Sequence, residues 1–322
     1  MRTINHYLFI FCYNHSKYMN NCIQSALFQT KKVKRIIICD DISTDNTISI
    51  INNYKNKHKE IDLIVNKEKK YHEDINQIYK YFNNNFQNND FFTIISGDDF
   101  LELDFVEENF NVLSKNNKIN FIFSSVHIVN KNNQYINKAN SFNQSQIFKK
   151  HDTLYHNILY NRSINSVPFV YNLKLSIDNN LLKQSSGTAY DFETLLKITR
   201  SYDVYYINKF LSHWRRHIEQ ESFNKRIMQY KSDYLIYLMQ KKYHASDQLF
   251  NSNQIKFYHF RNYLLCIKFY ENRKYKKFIY YFIKSLFSRL NYLNLFLVIS
   301  LFFLYPFKTN FYINIRKRYL LE

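Results

Sequence analysis

The sequence predicts an α/β protein in which a mostly parallel sheet carries helices on both faces. Between residues 7 and 128, short apolar runs alternate with segments whose apolar residues recur at helical spacing. Helix-length connections between successive strands are typical of parallel pairing. Polar residues directly follow three of the apolar runs, and the carboxyl ends of parallel strands lie along one edge of a sheet. We therefore expect a ligand-binding crevice at that edge.

Five strands are expected in this region, because five apolar and β-branched runs of strand length are bounded by polar residues. They are Tyr7–Cys12, Arg35–Cys39, Asp62–Val65, Phe91–Ile95 and Ile119–Ile128. Between them, apolar residues recur with a period near that of a helical turn, which predicts four helices. These are Lys17–Thr30, Ser43 to about Lys57, Asp74–Phe86 and Asp104–Lys115.

The remainder of the chain has a weaker pattern. Residues 130–150 are polar and irregular, which predicts a mobile loop. After it we expect a strand within Asn165–Leu175, a helix over Asp191–Arg200, and two short strands at Val204–Ile207 and Phe210–His213. From about Phe223 the alternation is lost and the pattern is helical throughout.

These patterns divide the chain into a main domain over residues 1–222, with halves 1–130 and 131–222, and a basic, aromatic, helical tail over 223–322. Residues 256–322 contain thirteen Lys and Arg but two acidic residues, so eleven of the nineteen net positive charges lie there. Such an excess indicates an anionic partner, either nucleic acid or an anionic membrane surface.

Residues 290–307 are the most hydrophobic segment of the tail, with basic residues on both sides. The segment has 18 residues, whereas a spanning helix needs about 20 that are predominantly apolar. We favour a helix or helical hairpin that lies in the membrane interface and is anchored by cations on anionic lipid. A membrane-spanning helix is the second interpretation, and a buried core helix is the third.

Composition excludes several classes of protein. The only glycines are at positions 97 and 187, so the GxGxxG pattern of nicotinamide dehydrogenases is impossible. The four cysteines have no CxxC spacing, which argues against a zinc site or a disulfide framework. The first residues lead straight into a strand without the pattern of a signal peptide. Both observations are typical of a protein in a reducing cytoplasm.

The pair Asp98–Asp99 follows the predicted strand Phe91–Ile95, and Gly97 is expected to let the backbone turn there. Two adjacent carboxylates repel each other, and a divalent cation relieves that repulsion. Mg²⁺ or Mn²⁺ bound at this position would be able to hold a diphosphate. The alternative is a polar turn that contains two aspartates by chance.

Three motifs in order resemble the nucleotide-binding half of family 2 glycosyltransferases, which have the Rossmann-like GT-A fold. Tyr13-Asn14 follows the first strand, Asp40-Asp41-Ile42-Ser43-Thr44-Asp45-Asn46-Thr47 the second, and Ser96-Gly97-Asp98-Asp99 the fourth. The resemblance covers residues 6–130 and extends more weakly to Asp191 and to Trp214-Arg215-Arg216-His217. The chain departs from the family at Phe11-Cys12, Ile42 and Ser96, where the family has other residues.

The resemblance implies a nucleotide-sugar donor, with uridine as the commonest base. Tyr13 and Asp41 would contact the base, Asp98 would bind the ribose or assist the metal, and Asp99 would be the main ligand of Mn²⁺ or Mg²⁺. The metal would neutralise charge on the departing diphosphate. Asp41 is alternatively a turn carboxylate that supports the next helix.

Inverting transfer also needs a carboxylate that takes the proton of the acceptor hydroxyl. Asp191 is our candidate for this general base, and Glu193 is the second choice. Asp191 precedes a helical pattern, so it is alternatively a helix cap, and it can serve in both roles.

Basic residues offer further candidates for binding the diphosphate. Arg215, Arg216 and His217 lie at the end of the last predicted strand, and Lys69 and Lys70 follow the third. The alternative for each group is a solvated basic face.

The sequence thus predicts a bacterial enzyme that transfers a sugar to a hydroxyl of a lipid-linked or surface glycan. We expect it on the cytoplasmic face of the inner membrane, held there peripherally or by one C-terminal hydrophobic segment. A nucleic-acid-binding protein would also explain the charge and the aromatic residues, but no RNP, KH or zinc pattern is present. A catalytically inactive relative that serves as a scaffold is the third alternative.

Overall fold

The fold is described from a computed structural model, which covers residues 4–67, 75–82, 85–161, 168–182, 190–217 and 219–220, with isolated helical positions at 236, 238–240, 242–243, 276–280 and 283. The chain forms two compact units, Met1–Ser246 and Asp247–Glu322. The predicted domain boundary after residue 222 remains a prediction. All strands and helices named below belong to the first unit.

The first seven elements alternate between strand and helix, as predicted. They are β1 (Asn5–Cys12), α1 (Ser16–Leu27), β2 (Arg35–Asp40), α2 (Thr47–Lys55), β3 (Ile61–Val65), α3 (Ile75–Phe82) and β4 (Asp90–Ser96). The largest shift in a predicted start is that of α2, which begins at Thr47 instead of Ser43. The difference arises because Ser43, Thr44 and Asp45 hydrogen-bond to the neighbouring loop rather than entering the helix.

The remaining elements are more varied. They are β5 (Phe100–Leu101), α4 (Phe105–Lys115), β6 (Phe121–Asn130), β7 (Tyr135–Ala139), β8 (Gln146–Phe148), α5 (Thr153–Asn161), β9 (Phe169–Asn172), α6 (Leu173–Asp178), α7 (Tyr190–Ser201) and β10 (Val204–Arg216).

The prediction of an irregular loop over residues 130–150 is wrong. This segment contains β7, which pairs with β6, and β8, which pairs with β10. β7 is largely exposed and β8 has only three residues, so neither shows the apolar alternation by which a half-buried strand is recognised. The two short strands predicted before Trp214 form one strand, β10, whose pairing with β6 shifts at two irregularities around Phe210.

The strands form one mixed sheet in the order β3-β2-β1-β4-β9-β6-β10-β5. The first four strands are parallel to one another. β9 runs antiparallel to both of its neighbours, while β10 is parallel to β6. The parallel region therefore contains the three strands, β1, β2 and β4, after which polar clusters were predicted.

Helices pack on both faces of this parallel region, as predicted. On one face, Leu8 and Ile10 of β1 share a buried core with Met19 and Ile23 of α1, a core that also includes apolar residues of α2 and α4. On the other face, the ring of Phe9 lies 5.9 Å from that of Phe82 in α3. Burial of both faces explains why these strands are apolar throughout.

Within the described residues, no helix is long and apolar enough to cross a membrane. The hydrophobic segment 290–307 lies outside those residues, so its three interpretations remain predictions.

Candidate functional site

The carboxyl ends of β1, β2 and β4 meet at one edge of the sheet. The N–H of Gly97, just after β4, donates to the carbonyl of Phe11 in β1 over 2.8 Å. The N–H of Asp41, just after β2, donates to the carbonyl of Cys12 over 2.9 Å. These bonds join the start of all three polar loops, so the predicted convergence at one edge of the sheet is confirmed.

The loops after β1 and β2 hold each other in place. The N–H of Asn14 donates to Ser43 Oγ (2.9 Å), and Asn14 Oδ1 accepts from the N–H of Thr44 (2.8 Å). The N–H of Ser16 donates to Asp45 Oδ2 over 3.1 Å. Burial opposes the charged form of Asp45, but hydrogen bonds from Ser16 and the start of α2 lower the pKa of this carboxyl to about 2. Ser43, Thr44 and Asp45 of the second motif therefore fix the loops after β1 and β2, which together form the rim of the crevice.

Asp41 and Tyr13, the predicted base-binding residues, both lie on this rim. Asp41 is buried, and Tyr13 is half-buried in the bend that follows β1. Oδ1 of Asp41 accepts a hydrogen bond of 3.1 Å from Asn66 Nδ2, and Oδ1 of Asn66 in turn accepts one of 2.8 Å from Gln77 Nε2. The Asp41 carboxylate is thus held by a short series of amide side chains.

Gly97 is required by close packing rather than by an unusual backbone angle. Its φ lies outside the left-handed region that favours glycine. A Cβ at this position would lie 2.7 Å from Cε of Met19, 2.8 Å from Cβ of Cys12 and 2.9 Å from Nδ1 of His15. The absence of a side chain therefore lets α1 and the loop after β1 approach the strand that carries the two aspartates.

Asp99 and Arg215 connect the end of β4 to the end of β10. Asp99 Oδ1 accepts a hydrogen bond of 2.8 Å from the backbone N–H of Arg215. The guanidinium of Arg215 donates from Nη1 to the carbonyl of Asp98 over 2.7 Å and is fully buried. Its Cζ lies 4.4 Å from the ring centre of Tyr18 and 5.2 Å from that of Phe100. Cation–π contacts thus add to the hydrogen bonds that fix this side chain.

Asp98 has a different set of partners. Its Oδ2 lies 2.9 Å from Nε2 of His217 and 3.5 Å from Nε2 of Gln220, both of which come from the segment after β10. The ring of His217 lies 4.8 Å from that of Tyr18 in α1. The two neighbouring aspartates therefore bind different groups, one a side-chain imidazole and the other a backbone N–H.

The two carboxyls also differ in their affinity for protons. Burial opposes ionisation of Asp98, but the hydrogen bond from His217 and the nearby His15 lower its pKa to about 2. Burial and the adjacent charge of Asp98 together raise the pKa of Asp99 well above its usual range. One negative charge at this site is therefore favoured strongly over two.

The residues present suit a divalent cation that is shared with a ligand. In the described parts of the chain, no three His, Cys, Asp or Glu side chains are grouped as a complete metal site. Mg²⁺, however, commonly takes one or two carboxylates and completes its shell with phosphate and water. Asp98 supplies a carboxylate beside the imidazole of His217, and the buried Nδ1 atoms of His15 and His217 have no hydrogen-bond partner among the described residues. A carboxylate suits Mn²⁺ or Mg²⁺, whereas imidazole suits transition metals, so of the two cations this donor set fits Mn²⁺ better.

The structure separates the basic residues that were candidates for phosphate binding. Arg215 is enclosed by the protein, and the guanidinium of Arg216 lies 4.1 Å from the ring centre of Trp214. The imidazole of His217 lies against the carboxylate of Asp98, whereas the guanidinium of Arg215 binds the backbone carbonyl of that residue. Lys69 and Lys70 lie outside the described residues.

Asp191 and Glu193, the candidates for the general base, lie in the first turn of α7. Asp191 is half-buried, and its Oδ1 accepts a hydrogen bond of 2.8 Å from the N–H of Phe192. Glu193 is buried and forms an ion pair of 3.2 Å with Lys197. Asp191 is therefore the more accessible carboxylate of the two.

Several residues of the site were not predicted from the sequence. Asn66 and Gln77 support Asp41, Gln220 contacts Asp98, and Asn21 and Asn133 accept hydrogen bonds from the guanidinium of Arg215. Asparagine is so abundant in this chain that a single one carries little information. Asn66 alone had a positional signal, because it directly follows a predicted strand at the same edge of the sheet.

The fold and these motifs define a known class of protein. The sequence profile of Glycosyl transferase family 2 matches residues 7–171, about half of the chain. The protein belongs to this family. A 62-residue segment, 19% of this chain, is 40% identical to the Escherichia coli chondroitin synthase and spans 9% of that relative.

Solved structures of Staphylococcus aureus TarS have a similar fold. The complex of TarS residues 1–349 with UDP aligns with a TM-score of 0.54 and 14% identity over 73% of this chain. The complex with UDP-GlcNAc aligns with a TM-score of 0.55, also at 14% identity. The chain covers 65% and 66% of the two structures, respectively. At this identity the likeness shows the fold alone.

Proposed function

We propose that this protein is an inverting glycosyltransferase that moves a sugar from a nucleotide-diphospho-sugar to a hydroxyl of a lipid-linked or surface glycan. One observation carries the proposal. Asp41 and the Asp98–Asp99 pair converge at the ends of β2 and β4, on either side of β1, in a chain that belongs to glycosyl transferase family 2. That arrangement supports a donor site in which Asp41 serves the base and the aspartate pair serves the cation.

The donor is proposed to be a UDP-sugar. A buried carboxylate such as Asp41 suits a ring N–H of a pyrimidine base, and Tyr13, in the loop after the neighbouring β1, offers an aromatic ring for stacking. TarS, which has the same fold, was solved in complexes with UDP and UDP-GlcNAc. These complexes support uridine as the first base to test.

A divalent cation at the end of β4 would neutralise charge on the departing diphosphate. Asp99 was the main ligand expected from the sequence, with Asp98 assisting. The contacts favour the reverse assignment, because Asp98 lies beside the imidazole of His217 while Asp99 accepts from the backbone of Arg215. We therefore propose that Asp98 and His217 hold the cation and that Asp99 fixes the end of β10.

Asp191 is proposed as the general base for the acceptor hydroxyl. It lies at the start of α7 and is more exposed than Glu193, whose carboxylate is engaged by Lys197. Deprotonation lets the hydroxyl oxygen attack the anomeric carbon from the face opposite the diphosphate, which inverts the configuration at that carbon.

The acceptor is proposed to be presented at an anionic membrane surface, on the cytoplasmic face of a bacterial inner membrane. The tail carries most of the excess positive charge, as described above. Within it, Lys276, Ile279, Tyr280 and Ile283 recur at helical spacing and are all exposed. An exposed apolar stripe with basic neighbours is typical of a helix that lies in the lipid interface.

Thermal unfolding of the full chain with Mn²⁺ or Mg²⁺ and a panel of UDP-, dTDP- and GDP-sugars tests the donor proposal. A ligand at 100 times its Kd stabilises a protein by about 2.7 kcal/mol. We expect such stabilisation with a UDP-sugar, its loss in EDTA and its loss in Asp98→Asn. The matched control is Asp152→Asn, because Asp152 is exposed and lies just before α5.

The outcomes separate the alternatives. Stabilisation by a nucleotide sugar that persists in both EDTA and Asp98→Asn contradicts the proposed cation site. No stabilisation by any nucleotide sugar contradicts the glycosyltransferase proposal and favours a scaffold. Salt-sensitive binding to RNA without binding to nucleotide sugars would favour the nucleic-acid alternative.

A further inference from the structure

We propose that Gln77 and Asn66 are positioning residues that orient the Asp41 carboxylate toward the nucleobase and thereby set the preference for a uracil-type base. This inference rests on the proposed function, because it assigns a role within the same donor site. It is carried by the order of three side chains, Gln77 to Asn66 to Asp41, and by the direction of the hydrogen bonds between them.

Backbone hydrogen bonding fixes the position of Asn66. Asn66 directly follows β3, and its N–H donates to the carbonyl of Asp40 in the neighbouring β2 over 3.0 Å. Its side chain is buried beside Asp41, the residue after Asp40. Asn66 is therefore held at the same sheet edge as the carboxylate that it contacts.

The chemistry of the carboxylate fixes the donor-to-acceptor direction of the hydrogen bonds from Gln77 through Asn66 to Asp41. A carboxylate oxygen accepts hydrogen bonds, and the NH₂ end of the Asn66 amide donates to Asp41 Oδ1 over 3.1 Å. The oxygen end of Asn66 then faces α3, where Gln77 Nε2 donates to it over 2.8 Å. Gln77 thus selects the one orientation of the Asn66 amide in which Asn66 donates to Asp41.

α3 is itself anchored, so Gln77 is presented from a fixed element. Tyr81 donates to Asp62 Oδ2 in β3 over 2.6 Å, and the ring of Phe82 packs 4.9 Å from that of Tyr7. Because the C-terminal end of α3 is tied to both β3 and β1, Gln77 is presented from a fixed helix, and its amide can orient Asn66 and through it Asp41.

This arrangement favours bases that offer a single ring N–H. Uracil and thymine present N3–H, whereas cytosine has an acceptor at N3. Guanine presents two adjacent N–H donors, which would compete with Asn66 for the oxygens of Asp41. A carboxylate whose Oδ1 already accepts from Asn66 therefore suits uracil or thymine best. Loss of the series should weaken binding of UDP more than binding of CDP.

The experiment measures UDP and CDP affinities of the full chain by titration calorimetry with excess Mg²⁺. Gln77→Leu removes the donor at nearly constant volume. Gln77→Glu places an acceptor against Asn66 and favours the flipped amide. Matched controls are Gln24→Leu and Gln24→Glu, because Gln24 lies on α1, where its amide donates to Tyr54 Oη away from the crevice.

We expect Gln77→Leu to weaken UDP binding about five-fold, the typical effect of one hydrogen bond between neutral groups. Gln77→Glu should weaken it further, and the CDP affinity should change less in both. The ratio of UDP to CDP affinity should therefore fall from the wild type to Gln77→Leu and again to Gln77→Glu. The two Gln24 variants should keep the ratio of the wild type. In an Asp41→Ala background, Gln77→Leu should have no further effect on UDP binding.

Three results would overturn the inference. They are an unchanged ratio of UDP to CDP affinity in both Gln77 variants, an equal loss of both affinities with lowered thermal stability, and additive effects of Asp41→Ala and Gln77→Leu. If the Gln77 variants fold poorly, Asn66→Ala gives the same readout and is judged by the same criteria. If the wild-type chain binds no nucleotide at all, the proposed function itself fails, which is distinguishable from these results.

Discussion

Acidification should destabilise the protein through protonation of His6, which lies near the start of β1 and is not a residue of the candidate site. His6 is buried, its Nε2 lies 3.0 Å from Oγ1 of Thr93, and its ring meets that of Phe105 edge-on. Burial disfavours the charged imidazole and lowers the pKa of His6 from 6.5 to about 3. The unfolded chain therefore binds a proton at mildly acidic pH that the folded chain does not.

The sign and size of the effect follow from this difference. Stability is lost as the pH falls below 6.5, the unfolded value, and the loss continues until the folded pKa near 3 is reached. Between pH 7.5 and pH 5, the linkage relation gives a loss of about 2 kcal/mol from this residue. For a domain of this size, that corresponds to a fall of roughly 4–8 °C in Tm.

The comparison of wild type with His6→Gln isolates this contribution, because the other titrating groups are common to both proteins. Glutamine keeps a polar group near Thr93 but does not titrate. We expect denaturant unfolding at pH 7.5 and pH 5 to show a drop in stability that is about 2 kcal/mol smaller in the variant. Parallel losses in the two proteins, within about 0.5 kcal/mol, would refute the reasoning.

Three further predictions concern the site. Gly97→Ala should lower the free energy of unfolding by about 1–3 kcal/mol, because the added Cβ would overlap Cys12 and His15. A variant with the Tm and UDP affinity of the wild type would contradict this. Ile42 has φ 61°, which is unfavourable for a β-branched residue, so Ile42→Asn should raise Tm by about 2–4 °C. Arg215→Lys should lower the free energy of unfolding, measured by chemical denaturation, by about 2 kcal/mol, because an ammonium cannot make the three hydrogen bonds of the planar guanidinium. A variant as stable as the wild type would argue against a structural role for these bonds.

The strand ends illustrate what was predictable. The apolar runs and the polar residues after them indicated that Tyr13, Asp41 and the Asp98–Asp99 pair share one edge, and the sheet order confirms it. Local sequence suffices there because parallel connection of short strands leaves few arrangements for their carboxyl ends.

The strands of the second half were less predictable. β7 is exposed and β8 has only three residues, so their stability comes from pairing: β7 with β6, which directly precedes it, and β8 with β10, which is distant in sequence. The long strand β10 was divided in the prediction because its irregular pairing around Phe210 interrupts the alternation of apolar residues.

The amino-acid sequence by itself determined the α/β class, the parallel region and the family, because hydrophobic period and short motifs are local properties of the chain. The tertiary structure alone decided which neighbour each site residue has. It separated Asp98, beside His217, from Asp99, beside the backbone of Arg215, and it joined Gln77 and Asn66 to Asp41. Such partners come from elements far apart in the chain, and their distances are set by packing, which no local pattern encodes.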